Sequence, residues 1–371
     1  MKVLYIMHVP WAWIKQRPHF FAEYLNKDFD VKVFYKKPLK VKKNNLINKK
    51  QEAIHITSFF VFPFKRIPFL KRISFLELIN VLLVKLQLPS LKNQDLVWVT
   101  SWAMYNHIRR FLPPDINLVY DCMDDELEFP DVKNNLSLYN EALVVEQELM
   151  RRANVILCSS NYLRTKIVER SKVNRDIQIV NNAISLPTIE YVKSQEIIKV
   201  LNRLDKLENI FMYIGAISSW FDFQTVIYFL NNQEEANVVL IGPNDVKIPS
   251  HPRLHHLGTI NRSDLFFVMG HAKALIMPFL LNELIKSVNP VKLYEYIWMA
   301  KPVIATSYEE TKVFQDYIYL YDDFEDFNRI ASAILINDLL AKKNKEESIL
   351  FLKNNTWAVR YDSVIKCIRK I

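Results

Sequence analysis

Short, unbroken apolar runs recur along this chain, and each is closed by polar residues or a glycine. "KVLYIMHV", "DLVWVTS", "INLVYDCMDD", "NVILCSS" and "IQIVNNAI" occupy the first half. "IFMYIGA", "ANVVLIGPND", "LHHLGTI", "KALIMPF" and "KPVIATS" occupy the second. A strand that is apolar on both faces has to be covered on both, as parallel strands flanked by helices are. Helical segments do separate the runs. "QRPHFFAEYLNK" sets Phe20, Phe21, Tyr24 and Leu25 on one side with Pro18 at a first helical position, and "LYNEALVVEQELMRRA" is an acidic helix. The pattern predicts doubly wound α/β architecture. A length of 371 residues suits two domains. The expected division is residues 1–187 and 188–354, both Rossmann-like, with a terminal amphipathic helix over 355–371 packing back on the first domain.

Several classes are disfavoured early. Cys122, Cys158 and Cys367 share no metal-ligand or disulfide spacing, which suggests a reducing compartment. The N-terminal "MKVLYIMHVPWAWIK" is broken by His8, Pro10 and Trp11 and reads as a first strand, not a leader. No uninterrupted apolar run of about 18 residues is present, so no spanning helix is expected. The net charge is +9, and seven lysines with no acid fall within residues 36–50. Then Phe59–Leu86 interleaves aromatics and leucines with Lys65, Arg66, Lys71, Arg72 and Lys85. Either a solvated loop precedes a core helix, or residues 36–86 dock on an anionic lipid surface. No nucleic-acid module is recognisable, so nucleic acid is not an expected partner.

The chain has only four glycines, and Gly215, Gly242 and Gly258 each fall where a strand ends, all in the second half. Each could simply make a turn. Together they favour a binding face, because glycine lets backbone N–H groups approach a ligand and open α/β sheets bind ligands at their carboxyl ends. The segment "SVNPVKLYEYIWMAKPVIATS" would start a helix at that face, with Asn289 as cap and Pro290 in the first turn. A helix N-terminus attracts phosphate. Lys292, in the first turn, is mildly unfavourable there for stability, and that conflict hints at function. Glu295, three residues on, shares its face and could accept hydrogen bonds from a ribose diol. The plain alternative is a surface ion pair worth under about 1 kcal/mol.

At this point the sequence resembles the donor-binding motif of GT-B glycosyltransferases of the family 4 type. "PFLLNELIKSVNPVKLYEYIWMAKPVIATS" is similar to a subgroup that includes teichuronic-acid and capsule-type transferases, as are "YIGAISSWFDF", "QRPHF" and "YDCMDD". The resemblance covers most of the chain and implies two doubly wound domains facing a cleft. It implies that Glu295 binds the donor ribose and that Gly215, Gly242, Pro243, Gly258, Asn282, Ser287, Asn289 and Lys292 line the donor site. Ser287 stands where the family's first glutamate contacts the transferred sugar, so the sugar's identity does not carry over. The basic pair expected after the first strand of the C-terminal domain is absent from "GAISSWFD"; Lys292 ranks first for that role, ahead of Lys286 and Arg17.

Arg17 and His19, just after the first strand, and Asp121 are expected at the acceptor side, and Asp121, Lys292 and Arg17 are the expected catalytic groups. "YDCMDD" is spaced D-x-x-D-D rather than D-x-D, and GT-B chemistry leans on fixed cations and helix dipoles, so neither metal nor cofactor is expected. His255, His256 and "YDDFEDF" are weak candidates. The expected function is transfer of a hexose from a nucleotide sugar, UDP-linked, to a cell-surface polysaccharide or lipid-linked glycan, with retention implied by the resemblance. The expected place is the cytoplasm, with peripheral contact on the inner face of the membrane. The alternatives are a sugar-nucleotide epimerase of the same fold and a non-catalytic sugar-binding protein. A nicotinamide enzyme is disfavoured because no G-x-G-x-x-G follows the first strand.

Overall fold

The computed structural model describes residues 1–38, 54–62, 74–173, 175–187 and 195–371. Most of the basic residues between 36 and 72 lie outside the described residues. The chain forms two compact units, Met1–Asn181 with Trp357–Ile371, and Asn182–Thr356. Among the described residues no helix is long and apolar enough to cross a membrane.

Among the described residues the first unit holds a seven-stranded sheet of β1 (Lys2–Met7), β2 (Asp30–Lys36), β3 (His55–Phe59), β4 (Leu96–Val99), β5 (Asn117–Cys122), β6 (Val155–Cys158) and β7 (Ile177–Ile179). The order is β3-β2-β1-β4-β5-β6-β7, with every neighbour parallel. Val3 to Met7 and Leu96 to Val99 are wholly enclosed, as unbroken apolar strands must be. The helix Trp357–Ile368 completes this unit. Trp357 stacks on Phe20 with centroids 4.8 Å apart and meets Phe21 edge-on at 5.8 Å. Such pairs contribute about 1 kcal/mol each beyond their buried area.

The second unit holds six parallel strands, β8 (Ile210–Ile214), β9 (Asn237–Ile241), β10 (Leu254–His256), β11 (Ala274–Met277), β12 (Val303–Thr306) and β13 (Tyr319–Tyr321), in the order β10-β9-β8-β11-β12-β13. Both sheets reverse direction once, between β1 and β4 and between β8 and β11. Each reversal leaves an open crevice at the carboxyl ends, where ligands bind in such folds.

One local expectation needs correction. The helix after β11 runs Val291–Trp298 with Pro290 as its N-cap, so Asn289 lies just outside it. Asn289 is 2% exposed and its side chain is engaged elsewhere. Its Oδ1 accepts from the Asn182 backbone N–H at 3.1 Å, and its Nδ2 donates to Glu310 at 3.4 Å. A side chain committed to a buried network cannot also cap a helix.

Candidate functional site

The three strand-end glycines of the second unit form one continuous edge. Gly215 follows β8, Gly242 follows β9 and Gly258 lies just past β10. The Gly215 N–H donates to Ile241 O at 2.8 Å, and the Gly242 N–H donates to Gly258 O at 2.7 Å. A Cβ on Gly242 would lie 1.9 Å from the Gly215 carbonyl oxygen. At φ +144° the backbone there is also one that only glycine adopts without strain. Gly258 differs, for a Cβ there would meet open space. His256 Nε2 lies 2.8 Å from Gly242 O, and Pro243 O accepts from the Ile217 N–H at 2.8 Å.

Lys292 lies directly over this edge. A Cβ on Gly215 would be 1.9 Å from Lys292 Cε and 2.6 Å from its Nζ. The lysine stem therefore crosses the one position on that turn that has no side chain. Its helix is held against β8 by Tyr296, whose buried hydroxyl accepts from the Ile214 N–H at 2.9 Å. Among the described residues Lys292 makes no ion pair. Burial pushes its ammonium below the usual lysine range; Glu295 opposes that shift and Arg262 adds to it. A partly desolvated cation beside helix N–H groups and glycine backbone is an arrangement that could take an anion of more than one charge.

Glu295 is part of this group, bonded to Arg262. Its Oε1 accepts from Arg262 Nη2 at 2.6 Å. Arg262 opens the helix Arg262–Met269, four residues beyond Gly258. Sequence reasoning sought a second cation after β8 and missed this one. The signal was its position just past a strand-end glycine.

Other candidates on this unit have internal roles. Asn282 caps the short helix Glu283–Lys286 by accepting from the Ile285 N–H at 2.9 Å. Ser287 is fully buried, with its hydroxyl donated to Leu284 O at 2.7 Å. Lys286 pairs with Glu283 at 3.1 Å. The structure thus brings together Gly215, Gly242, Gly258, Lys292, Glu295 and Arg262, while Asn282, Ser287 and Asn289 shape the loop that leads to the helix.

The first unit gives a different result. Arg17 and Asp121 were expected at the acceptor side. Arg17 is 2% exposed and Asp121 is fully enclosed. Arg17 Nη2 and Nε donate to Asp121 Oδ1 at 2.8 and 3.0 Å, and its Nη1 donates to Val180 O. A buried charge persists only when paired in this way. His19 is also buried, with Nδ1 accepting from the Gln16 N–H at 3.1 Å and Nε2 3.2 Å from Trp11 O.

Near them, at the β1–β4 reversal, sits His8, which the sequence marked only as a break in an apolar run. Its Nδ1 lies 2.7 Å from Thr100 Oγ1, and burial lowers its pKa to about 4, so it is neutral at pH 7. Asp124 lies just beyond β5. Burial raises its pKa to about 6, with Arg17 opposing and Asp125 and Asp121 adding. An acid raised on folding stabilises the native state fully below its unfolded pKa of about 4, and that contribution is lost as pH rises through about 6. Asp124→Asn should therefore be the more stable protein at pH 7.5, by about 3 kcal/mol, with the gap closing by pH 4. Urea midpoints at the two pH values check this, and equal gaps would refute it. His8 acts in the opposite sense, losing stability as pH falls from about 6.5 toward 4. Among the described residues no group of three or more His, Cys, Asp or Glu side chains is set to hold a metal ion.

No family model matches the sequence. A protein of Bacillus subtilis (strain 168), provisionally named teichuronic acid biosynthesis glycosyltransferase TuaH, is 24% identical over 216 residues. The match covers 55% of this chain and 54% of TuaH, so the chain spans about half the length of that relative. Among solved structures, HepE of Anabaena in complex with UDP-glucose superposes with a TM-score of 0.70 at 11% identity, covering all of both chains. Sucrose-phosphate synthase of Thermosynechococcus elongatus gives 0.71 at 14% identity, over 100% of this chain and 99% of that one. An Escherichia coli trehalose-6-phosphate protein bound with UDP-2-fluoro glucose gives 0.66 at 12%, again over 100% and 99%. At these identities the likeness is one of fold, and the fold is GT-B.

Proposed function

We propose that this GT-B chain is a glycosyltransferase that moves a hexose from a UDP-sugar to a cell-surface polysaccharide or lipid-linked glycan. The observation that carries this reading is Lys292 laid across Gly215, on a helix that also bears Glu295. The diphosphate would take the glycine edge, the helix N-terminus and the Lys292 ammonium together. Fixed positive charge there stabilises the negative charge that develops as the nucleoside diphosphate departs, with no metal needed. Glu295 would accept from the ribose diol. A carboxylate has about four lone-pair sites, and Arg262 fills one while holding the group in place. UDP is favoured as carrier because HepE and the Escherichia coli protein were captured with UDP-sugars. The surface-glycan acceptor follows the name of TuaH. Retention at the anomeric carbon is part of the proposal, to be read from the product's anomeric NMR signal.

The test is a thermal-shift panel of UDP, GDP, CDP and ADP. UDP alone should stabilise the protein strongly. Glu295→Ala should raise the donor KM about tenfold or more while kcat changes less, because a ribose contact is made in ground and transition states alike. Absence of stabilisation by any of the four diphosphates would refute the donor site.

A further inference from the structure

On the helix Ser74–Gln87, three leucines stand at four-residue intervals and all are turned out to solvent: Leu78 is 56% exposed, Leu82 56% and Leu86 75%. Side chains four apart share one helix face. The opposite face anchors the helix. Val84 is 1% exposed, Asn80 accepts from the Phe62 N–H at 2.8 Å and donates to its carbonyl at 3.0 Å, and Gln87 accepts from the Phe60 N–H at 2.9 Å. The leucine stripe is therefore held outward by specific bonds. Phe62 beside it is 49% exposed.

Two exposed lysines accompany the stripe, and Glu77 is the one acid on its helix. Lys85 borders it on the same helix and is exposed, and Lys37, at the end of β2, is exposed as well. Lys37 donates its backbone N–H to Phe59 O at 2.7 Å, which ties it to the strand leading to Phe62. In the sequence, residues 36–50 and 63–73 carry lysine and arginine and no acid. An apolar stripe accompanied by exposed lysines, on a chain of net charge +9, suits the headgroup–acyl boundary of an anionic bilayer better than a protein groove.

We propose that Leu78, Leu82, Leu86 and Phe62 form a lipid-docking face, with Lys37 and Lys85 at the level of anionic headgroup phosphates. The face does not depend on the donor site. The test is sedimentation of the full chain with phosphatidylcholine vesicles, with and without phosphatidylglycerol. Binding should require phosphatidylglycerol and weaken with salt. The combined Leu78→Ser, Leu82→Ser and Leu86→Ser variant should bind at least about tenfold less, with its melting temperature and UDP-induced shift unchanged. Lys85→Glu should weaken binding to the anionic vesicles alone. Wild type that fails to sediment with anionic vesicles at low salt would overturn the proposal. So would a triple variant that binds as well as wild type. A concentration-dependent dimer abolished by the triple variant, without vesicle binding, would assign the stripe to a second copy and overturn it too.

Discussion

Lys292→Met is expected to weaken UDP binding by about a hundredfold while leaving the free protein as stable as wild type or more so. The methionine keeps the stem that lies over Gly215 and removes only the ammonium. Losing a charged hydrogen-bond donor to a diphosphate in a desolvated site costs about 3 kcal/mol, and every 1.4 kcal/mol is tenfold. The stability half rests on burial, which lowers the Lys292 pKa. A base depressed on folding contributes stability above its unfolded pKa and loses it as pH falls through the lowered value. Folding therefore disfavours the ammonium, and deleting it relieves that cost. Isothermal titration with UDP and urea unfolding of the same two proteins give both quantities. A variant that loses stability and keeps affinity would mark Lys292 as structural.

Gly242→Ala is expected to cost about 4 kcal/mol or more and to leave little folded protein at growth temperature. The added methyl would sit 1.9 Å from the carbonyl oxygen of Gly215 and 2.6 Å from its carbon. Both are backbone atoms fixed by the β8–β9 ladder, so neither can move aside. Gly258→Ala is the control. It faces open space, and with φ +72° it should cost about 1–2 kcal/mol. Gly215→Ala is intermediate: φ +154° strains it and its Cβ would lie 2.8 Å from the Tyr213 hydroxyl, but its nearest neighbour is the far end of Lys292, which can swing away. That variant should fold and lose nucleotide affinity. Urea denaturation of the three, with UDP titration of Gly215→Ala, checks the ordering. Equal losses at 242 and 258 would mean that these glycines only make turns.

Legibility in the sequence followed burial. Strands such as β1, β4, β8 and β9 are covered on both faces, so they are written as continuous apolar runs. β3 is half-exposed along most of its length and β13 spans only Tyr319–Tyr321, and neither leaves such a trace. The glycine edge and Lys292 were legible because each breaks a local preference. The Arg17–Asp121 pair was not legible, because its members are 104 residues apart and only the adjacency of elements in the folded sheet brings them together. Arg262 was missed for the same reason, since its bond to Glu295 spans 33 residues. Asn289 shows the limit of local rules, because a residue suited to capping is equally suited to a buried polar network.

The helix Trp357–Ile368 belongs to the first unit, yet it is made after all of the second. During synthesis the first sheet leaves the ribosome with Phe20 and Phe21 uncovered, and it stays so while about 175 further residues are translated. Until Trp357 is made, the first unit lacks the ring that stacks on Phe20.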